Sequence, residues 1–221
     1  MPPRPHYQHE RRLLEAGLGP VAGIDEVGRG PLAGPVVAAA CILDPARLPR
    51  GVRDSKLLTP AQRRKLAAKI SATCLASSVA AVSAAVIDEI GILSATKRAM
   101  RLAVRRLSLP PGFLLIDAVS IDLPGTPQLG IIRGDLTVLS IAAASILAKV
   151  HRDALMARWD ERLPGYAFAS HVGYGTPEHL EALAKLGPSP LHRKTFAPVR
   201  ARLQLDIDLL SAPVADPSLL S

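Results

Sequence analysis

Cysteine is nearly missing from this chain: among 221 residues only Cys41 and Cys74 occur. Both lie in apolar or helical contexts without metal-ligand spacing, so a disulfide scaffold is excluded and each reads as a small buried hydrophobe in a reducing compartment. Long apolar runs are lacking too. The longest, PVVAAACIL and IAAASILA, fall well short of the roughly 20 residues that a membrane helix needs. The first twenty residues, MPPRPHYQHERRLLEAGLGP, mix Pro, Arg and His with no continuous apolar stretch, unlike a secretory signal. These absences predict a cytoplasmic protein that is neither exported nor membrane-spanning. Acids are outnumbered, 19 Asp and Glu against 27 Lys and Arg, for a net charge of +8. Such an excess suggests a polyanionic partner, most simply nucleic acid. No G-x-x-x-x-G-K-[ST] occurs, which argues against P-loop nucleotide hydrolysis.

What is present is a globular composition, 48% hydrophobic and 21% charged, long enough to bury about 70% of its unfolded surface without a metal or disulfide. VAGIDEV reads as a strand, GRGPLAGP as a loop, and residues 35–43 as a second strand. Thr59 is a plausible N-cap, with Pro60 in the first turn of a helix. A Val-rich strand is expected over 77–88, a Ser-capped basic helix over 94–107, and strands over 113–118 and 129–133. A long helix over 138–162 begins with small residues able to approach a sheet closely. Strands alternating with helices predict an α/β fold, its sheet mixed because the first two strands are joined too tightly for a helical crossover. The expected organisation is an N-terminal segment 1–20, a main domain 21–162, an extension 163–202 and a mobile tail 203–221 that carries three Asp and no Lys or Arg.

Asp25 and Glu26 end one apolar strand and Asp117 another, so all three should meet at the carboxyl edge of the sheet, with Asp153 brought in by the long helix. Four crowded carboxylates cannot all stay ionised without cations, and the matching chemistry is a hard divalent ion such as Mg²⁺ or Mn²⁺. Each acid also has an ordinary explanation: strand-end acids commonly cap or face water, and Asp153 can pair with Lys149 one turn away. GRGPLAG has the wrong spacing for a dinucleotide loop, and Pro31 removes a donor. Its glycines instead allow close backbone approach to a ligand, with Arg29 supplying charge. His171, His179 and His192 lack zinc-ligand spacing and are expected in turns or at the surface. Ser55 has no evident base to make it a nucleophile. Tyr174, flanked by glycines in GYGT, could stack on a sugar or base, or pack on its own domain.

Taken in order, GIDEVGRGPLAGPVVAAA, DSKLL, LLIDA, SIAAASILAKVHRD and VGYGT…H…HRKTF resemble the ribonuclease HII family from about residue 21 to 197. The resemblance implies a ribonuclease H-like fold: a mixed five-stranded sheet flanked by helices, with a helical C-terminal extension. It implies a monomeric endonuclease that cuts the RNA strand of RNA–DNA hybrids and single ribonucleotides embedded in duplex DNA, using two Mg²⁺ or Mn²⁺ ions and leaving 5′-phosphate and 3′-hydroxyl ends. On this resemblance Asp25, Glu26, Asp117 and Asp153 bind the metals. Gly28, Arg29, Gly30 and Tyr174 recognise the ribose 2′-hydroxyl, and Lys56, Lys149 and Arg193 belong to the phosphate track. Two residues depart from the family pattern: Ala118 stands where glycine is frequent, expected to be tolerated as one added methyl, and Val172 where lysine is common. The chain shows no counterpart of the extra N-terminal domain of ribonuclease HIII, and nothing in it points to a sliding-clamp contact by the tail. Two rivals remain at this stage, a junction resolvase of the same fold and a basic binding module whose acids are structural.

Overall fold

Strand β1 (Val21–Val27) lies at the centre of the sheet, hydrogen-bonded antiparallel to β2 (Val36–Ile42) on one side and parallel to β4 (Phe113–Asp117) on the other. Strands β3 (Ala76–Val82) and β5 (Gln128–Ile131) complete a five-stranded mixed sheet of order β3-β2-β1-β4-β5. This computed structural model describes residues 4–53 and 55–211, without the side chains of Lys56 and 206–211. All seven residues of β2 are buried, which requires cover on both faces. Val36, Ala38, Ala40 and Ile42 face helices α3 (Ala84–Ile90) and α4 (Ile92–Arg105). Val37, Ala39 and Cys41 face α2 (Pro60–Thr73) and α5 (Leu139–Arg162).

The small residues of α5 do what their size allows. A methyl added at Gly23 of β1 would lie 2.1 Å from the backbone carbon of Ser140 and 2.4 Å from the nitrogen of Ile141. Helix and strand backbones are therefore in direct contact, and only glycine fits between them. α2 starts as expected, Thr59 and Gln62 forming a reciprocal capping box with Pro60 following.

Several boundaries differ from expectation. The strand foreseen over 77–88 stops at Val82, because Ser83 accepts the Val86 amide and starts α3. α4 starts at Ile92 after Gly91, whose φ of 77° turns the chain, and has no Ser94 cap. Within the N-terminal segment, α1 (Gln8–Glu15) was not foreseen. It buries Glu10, whose carboxylate accepts the Ser140 amide at 2.7 Å and caps α5, where Val138 offers no cap of its own. Beyond α6 (Phe168–His171) and α7 (Pro177–Leu186), α8 (Ala197–Ser211) continues through the start of the expected tail. A loose chain from residue 203 is thus incorrect, because those residues are helical, and 212–221 lie outside the described residues. Among the described residues no helix is long and apolar enough to cross a membrane.

Candidate active site

Because β1 and β4 run parallel with Ile24 beside Ile116, the next residues, Asp25 and Asp117, leave the sheet at the same edge. They line a cleft of about 420 Å³ with Glu26, Asp135, Ser145, Lys149 and Tyr174. Asp25 is 5% exposed, and its Oδ1 accepts the Glu26 amide at 2.7 Å. Burial pushes the Asp25 carboxyl well above its usual range; the charges of Glu26 and Asp117 push the same way, while the Ser145 hydroxyl opposes them. Glu26 is also raised, first by burial, and is held back by Arg29 at 3.7 Å.

The fourth acid of the cleft is Asp135, which sequence reasoning missed. Asp117 Oδ1 accepts the Gly134 amide at 2.7 Å, tying the end of β4 to the short turn Gly134–Leu136 and placing Asp135 in the cleft wall. The available signal was an acid between the last strand and the long helix, in a loop that leaves the same sheet edge. Asp153, expected in this role, is not among the residues lining the cleft. Its carboxylate is engaged instead by Lys149 at 2.7 Å and by Arg63 of α2 at 3.8 Å. Its helical spacing from Lys149 decides that outcome.

The GRG loop and the GYGT loop touch. Both Leu32 and Ala33 donate to the Gly173 carbonyl, at 2.8 and 3.3 Å, and a methyl on Gly30 would lie 3.7 Å from the Tyr174 ring. Tyr174 is 44% exposed and faces the cleft, as does Lys149. Lys56 lies in the short turn Ser55–Leu57, and its side chain, like all of Asp54, is outside the described residues. Arg193 is not on a surface track. It is fully buried, and its guanidinium donates to the carbonyls of Gly28 at 2.5 Å, Arg29 at 2.8 Å and Gly34 at 2.9 and 3.1 Å. A second buried guanidinium, Arg152, donates to Ala33, Pro35 and Val172. Gly28, at φ 92°, leaves the room that Arg152 fills, since a methyl there would meet Arg152 Nε at 2.2 Å. Two buried cations thus hold the loops through carbonyl oxygens.

Other expectations need adjusting. His171, His179 and His192 are buried, not in exposed turns, because each ring finds partners on both nitrogens. Ser55 meets the Ser145 hydroxyl at 3.4 Å and no base. Ala118 and Val172 have φ of 54° and 45°, so the cost of departing from the family pattern at 118 is backbone strain, not added volume. A larger groove of about 1010 Å³ opens between α2 and the start of α5, but none of the four cleft acids lines it.

Could these residues hold divalent ions? The donors are oxygen only, which suits Mg²⁺ or Mn²⁺. Burial first, and then the charges of Glu26 and Asp117, disfavour the ionised form of Asp25, and a bound cation would favour it. Among the described residues no three Asp, Glu, His or Cys side chains form a ready-made cage. The residues fit ions bound by a few carboxylates, with water and phosphate oxygens completing the shell, as is usual for Mg²⁺.

A mixed five-stranded sheet with carboxylates gathered where its central parallel strands end defines a nuclease of the ribonuclease H class. The model of the family described as Ribonuclease HII matches residues 22–199. Ribonuclease HII of Geobacillus kaustophilus is 53% identical over 197 residues, covering 89% of this chain and 75% of the relative. That of Solibacter usitatus is 51% identical over 199 residues, covering 90% and 87%. Among solved structures, ribonuclease H2 of Pyrococcus horikoshii superposes with a TM-score of 0.70 at 27% identity, covering 84% of this chain and 97% of that one. Archaeoglobus fulgidus RNase HII, solved in a complex with PCNA, gives 0.68 at 29%, covering 81% and 96%. The chain belongs to the ribonuclease HII family. It is a metal-dependent endoribonuclease acting on RNA–DNA hybrids.

Proposed function

We propose that this chain cleaves single ribonucleotides embedded in duplex DNA as well as longer hybrids, with Asp25, Glu26, Asp117 and Asp135 holding two Mg²⁺ or Mn²⁺ ions. The observation that carries this reading is the meeting of those four acids in one cleft, bordered by the two loops that would read the sugar. When bound, the ions supply an activated water and neutralise charge gathering on the phosphate and the leaving 3′-oxygen. The products are then a 5′-phosphate and a 3′-hydroxyl, with no covalent intermediate.

The chain's own residues supply position and selectivity. Gly30 lets the backbone approach the ribose, Gly28 sets the turn of the same loop against Arg152, and Arg29 sits between them. Tyr174 closes the other side and packs where the 2′-hydroxyl and the next sugar lie. Only RNA carries that hydroxyl, so sensing it gives selectivity that phosphate contacts cannot. Lys149, held by Asp153 at the cleft wall, and Lys56 draw in the phosphates, and the protein acts as a monomer. The test is sizing the products from a labelled duplex that carries one ribonucleotide, with Mg²⁺, Mn²⁺ or EDTA. A single cut at the ribonucleotide that leaves 5′-phosphate and 3′-hydroxyl ends and is lost in EDTA supports the reading. Binding without any metal-dependent cut would favour the binding module, and cleavage confined to branched DNA would favour the resolvase.

A further inference from the structure

Tyr174 lies between α6 and α7, outside regular structure, and its main-chain carbonyl is held in part by a histidine ring. The Tyr174 carbonyl accepts the Thr176 amide at 2.8 Å and meets His179 Nδ1 at 2.9 Å. His179 Nε2 lies 3.0 Å from His192 Nε2, and His192 Nδ1 meets the Ser189 amide at 3.0 Å and its hydroxyl at 2.8 Å. The two ends of this chain fix the protons between them. The Ser189 amide can only donate, so His192 Nδ1 accepts and the His192 proton sits on Nε2. That proton is donated to His179 Nε2, which leaves the His179 proton on Nδ1, pointing at a carbonyl that can only accept. Both rings are therefore neutral, each in one tautomer.

His171 repeats the pattern. Its Nδ1 accepts the Gly173 amide at 3.1 Å and its Nε2 donates to the Tyr166 carbonyl at 2.7 Å, while its own carbonyl accepts the Tyr174 amide at 3.0 Å. It stacks on His179 with ring centroids 4.4 Å apart. All six ring nitrogens are committed to hydrogen bonds, so the cluster is not a metal site. Packing alone would not need such directed pairing, because apolar rings could fill the same space.

We propose that His179 and His192 are positioning residues for the reaction: their one-way relay, running from Ser189 to the Tyr174 carbonyl, fixes the Tyr174 ring beside Gly30 where the ribose must sit. This rests on the ribose-reading role of Tyr174 proposed above.

Paired substitutions separate the relay from packing. In His179→Asn the amide nitrogen takes the place of Nδ1 and keeps the bond to Tyr174. In His179→Gln the amide oxygen takes the place of Nε2, keeping the link to His192 and losing Tyr174. Both lose the ring. Each is measured for melting temperature, affinity for an all-DNA duplex, and kcat/KM on a duplex with one ribonucleotide, with Tyr174 intact or replaced in Tyr174→Ala. His179→Gln should lower kcat/KM by about tenfold, the worth of one hydrogen bond of ordinary strength, while His179→Asn stays within about threefold of the parent. The difference should vanish in the Tyr174→Ala background, because coupled residues do not add. Equal losses in the two variants, or a difference that persists without the tyrosine ring, would overturn the relay while leaving the role of Tyr174 intact. If Tyr174→Ala alone leaves cleavage unchanged, the ribose-reading role fails first and takes the relay with it. Should the His179 variants fail to fold, His192→Gln, which keeps the donor to His179, and His192→Asn, which loses it, pose the same question.

Discussion

Replacing Arg193 by methionine separates a clamp from a phosphate contact. The guanidinium makes four hydrogen bonds to three carbonyls, those of Gly28, Arg29 and Gly34, and is fully buried. Burial, aided by the charge of Arg152, pulls its pKa down to about 9, and the carbonyls take the place of the water its N–H groups have lost. Methionine fills the stem's volume but donates nothing, and each buried acceptor left unmet costs about 1–3 kcal/mol. Relief of the buried charge offsets part of that sum. The net loss should be about 3 kcal/mol, or roughly 6–12 °C in melting temperature for a chain of this size. Urea and thermal unfolding read the stability, and duplex affinity across a salt series reads the phosphate contacts. A clamp leaves the slope of log K against log salt unchanged, whereas a lost phosphate contact lowers it by about 0.9. Stability within about 0.5 kcal/mol of the parent, together with a slope reduced by nearly one, would refute this account of Arg193.

Asp25 should give a pH signature in metal-free protein. Its folded pKa is raised above the unfolded value, so its contribution is fully present below the ordinary carboxylate range and is lost as pH rises through the folded pKa. Asp25→Asn should therefore melt higher than the parent near neutral pH in EDTA, with a flatter pH profile; parallel profiles would contradict this. Ala118 sits at φ 54°, and Ala118→Gly should add about 1 kcal/mol in urea titrations, a prediction that fails if the variant is destabilised. Glu10 caps α5 from α1, and Glu10→Ala should remove about 1 kcal/mol; no change in the unfolding midpoint would show that the cap is idle.

β1, β2 and β4 were readable because they are short apolar runs with clear stops, and α5 because a run of Ala and Ser inside a helix signals a close backbone neighbour. Asp25, Glu26 and Asp117 were readable for a related reason: an acid that ends a buried strand has few places to go. α1 was not, since its place depends on a tertiary contact, Glu10 on the first turn of α5, that local periodicity does not encode. The Ser83 stop was hidden in a Val-rich run where a cap residue and a strand residue look alike. The choice between Asp153 and Asp135 turned on the loop after β5, which ties itself to Asp117 through the Gly134 amide. Spacing along one helix already offered Asp153 a partner in Lys149, and that local pairing holds. The roles of Arg193 and the three histidines depend on where carbonyls and amides from distant loops come to rest, and no linear pattern carries that.

The most direct test of the acidic cleft compares Asp135→Asn with Asp153→Asn on one labelled RNA–DNA hybrid in excess Mg²⁺. Asp135→Asn should slow cleavage by about 100-fold or more, as loss of an ion-holding carboxylate demands, and Asp153→Asn by no more than about tenfold. The opposite ranking would contradict the placement of the ions.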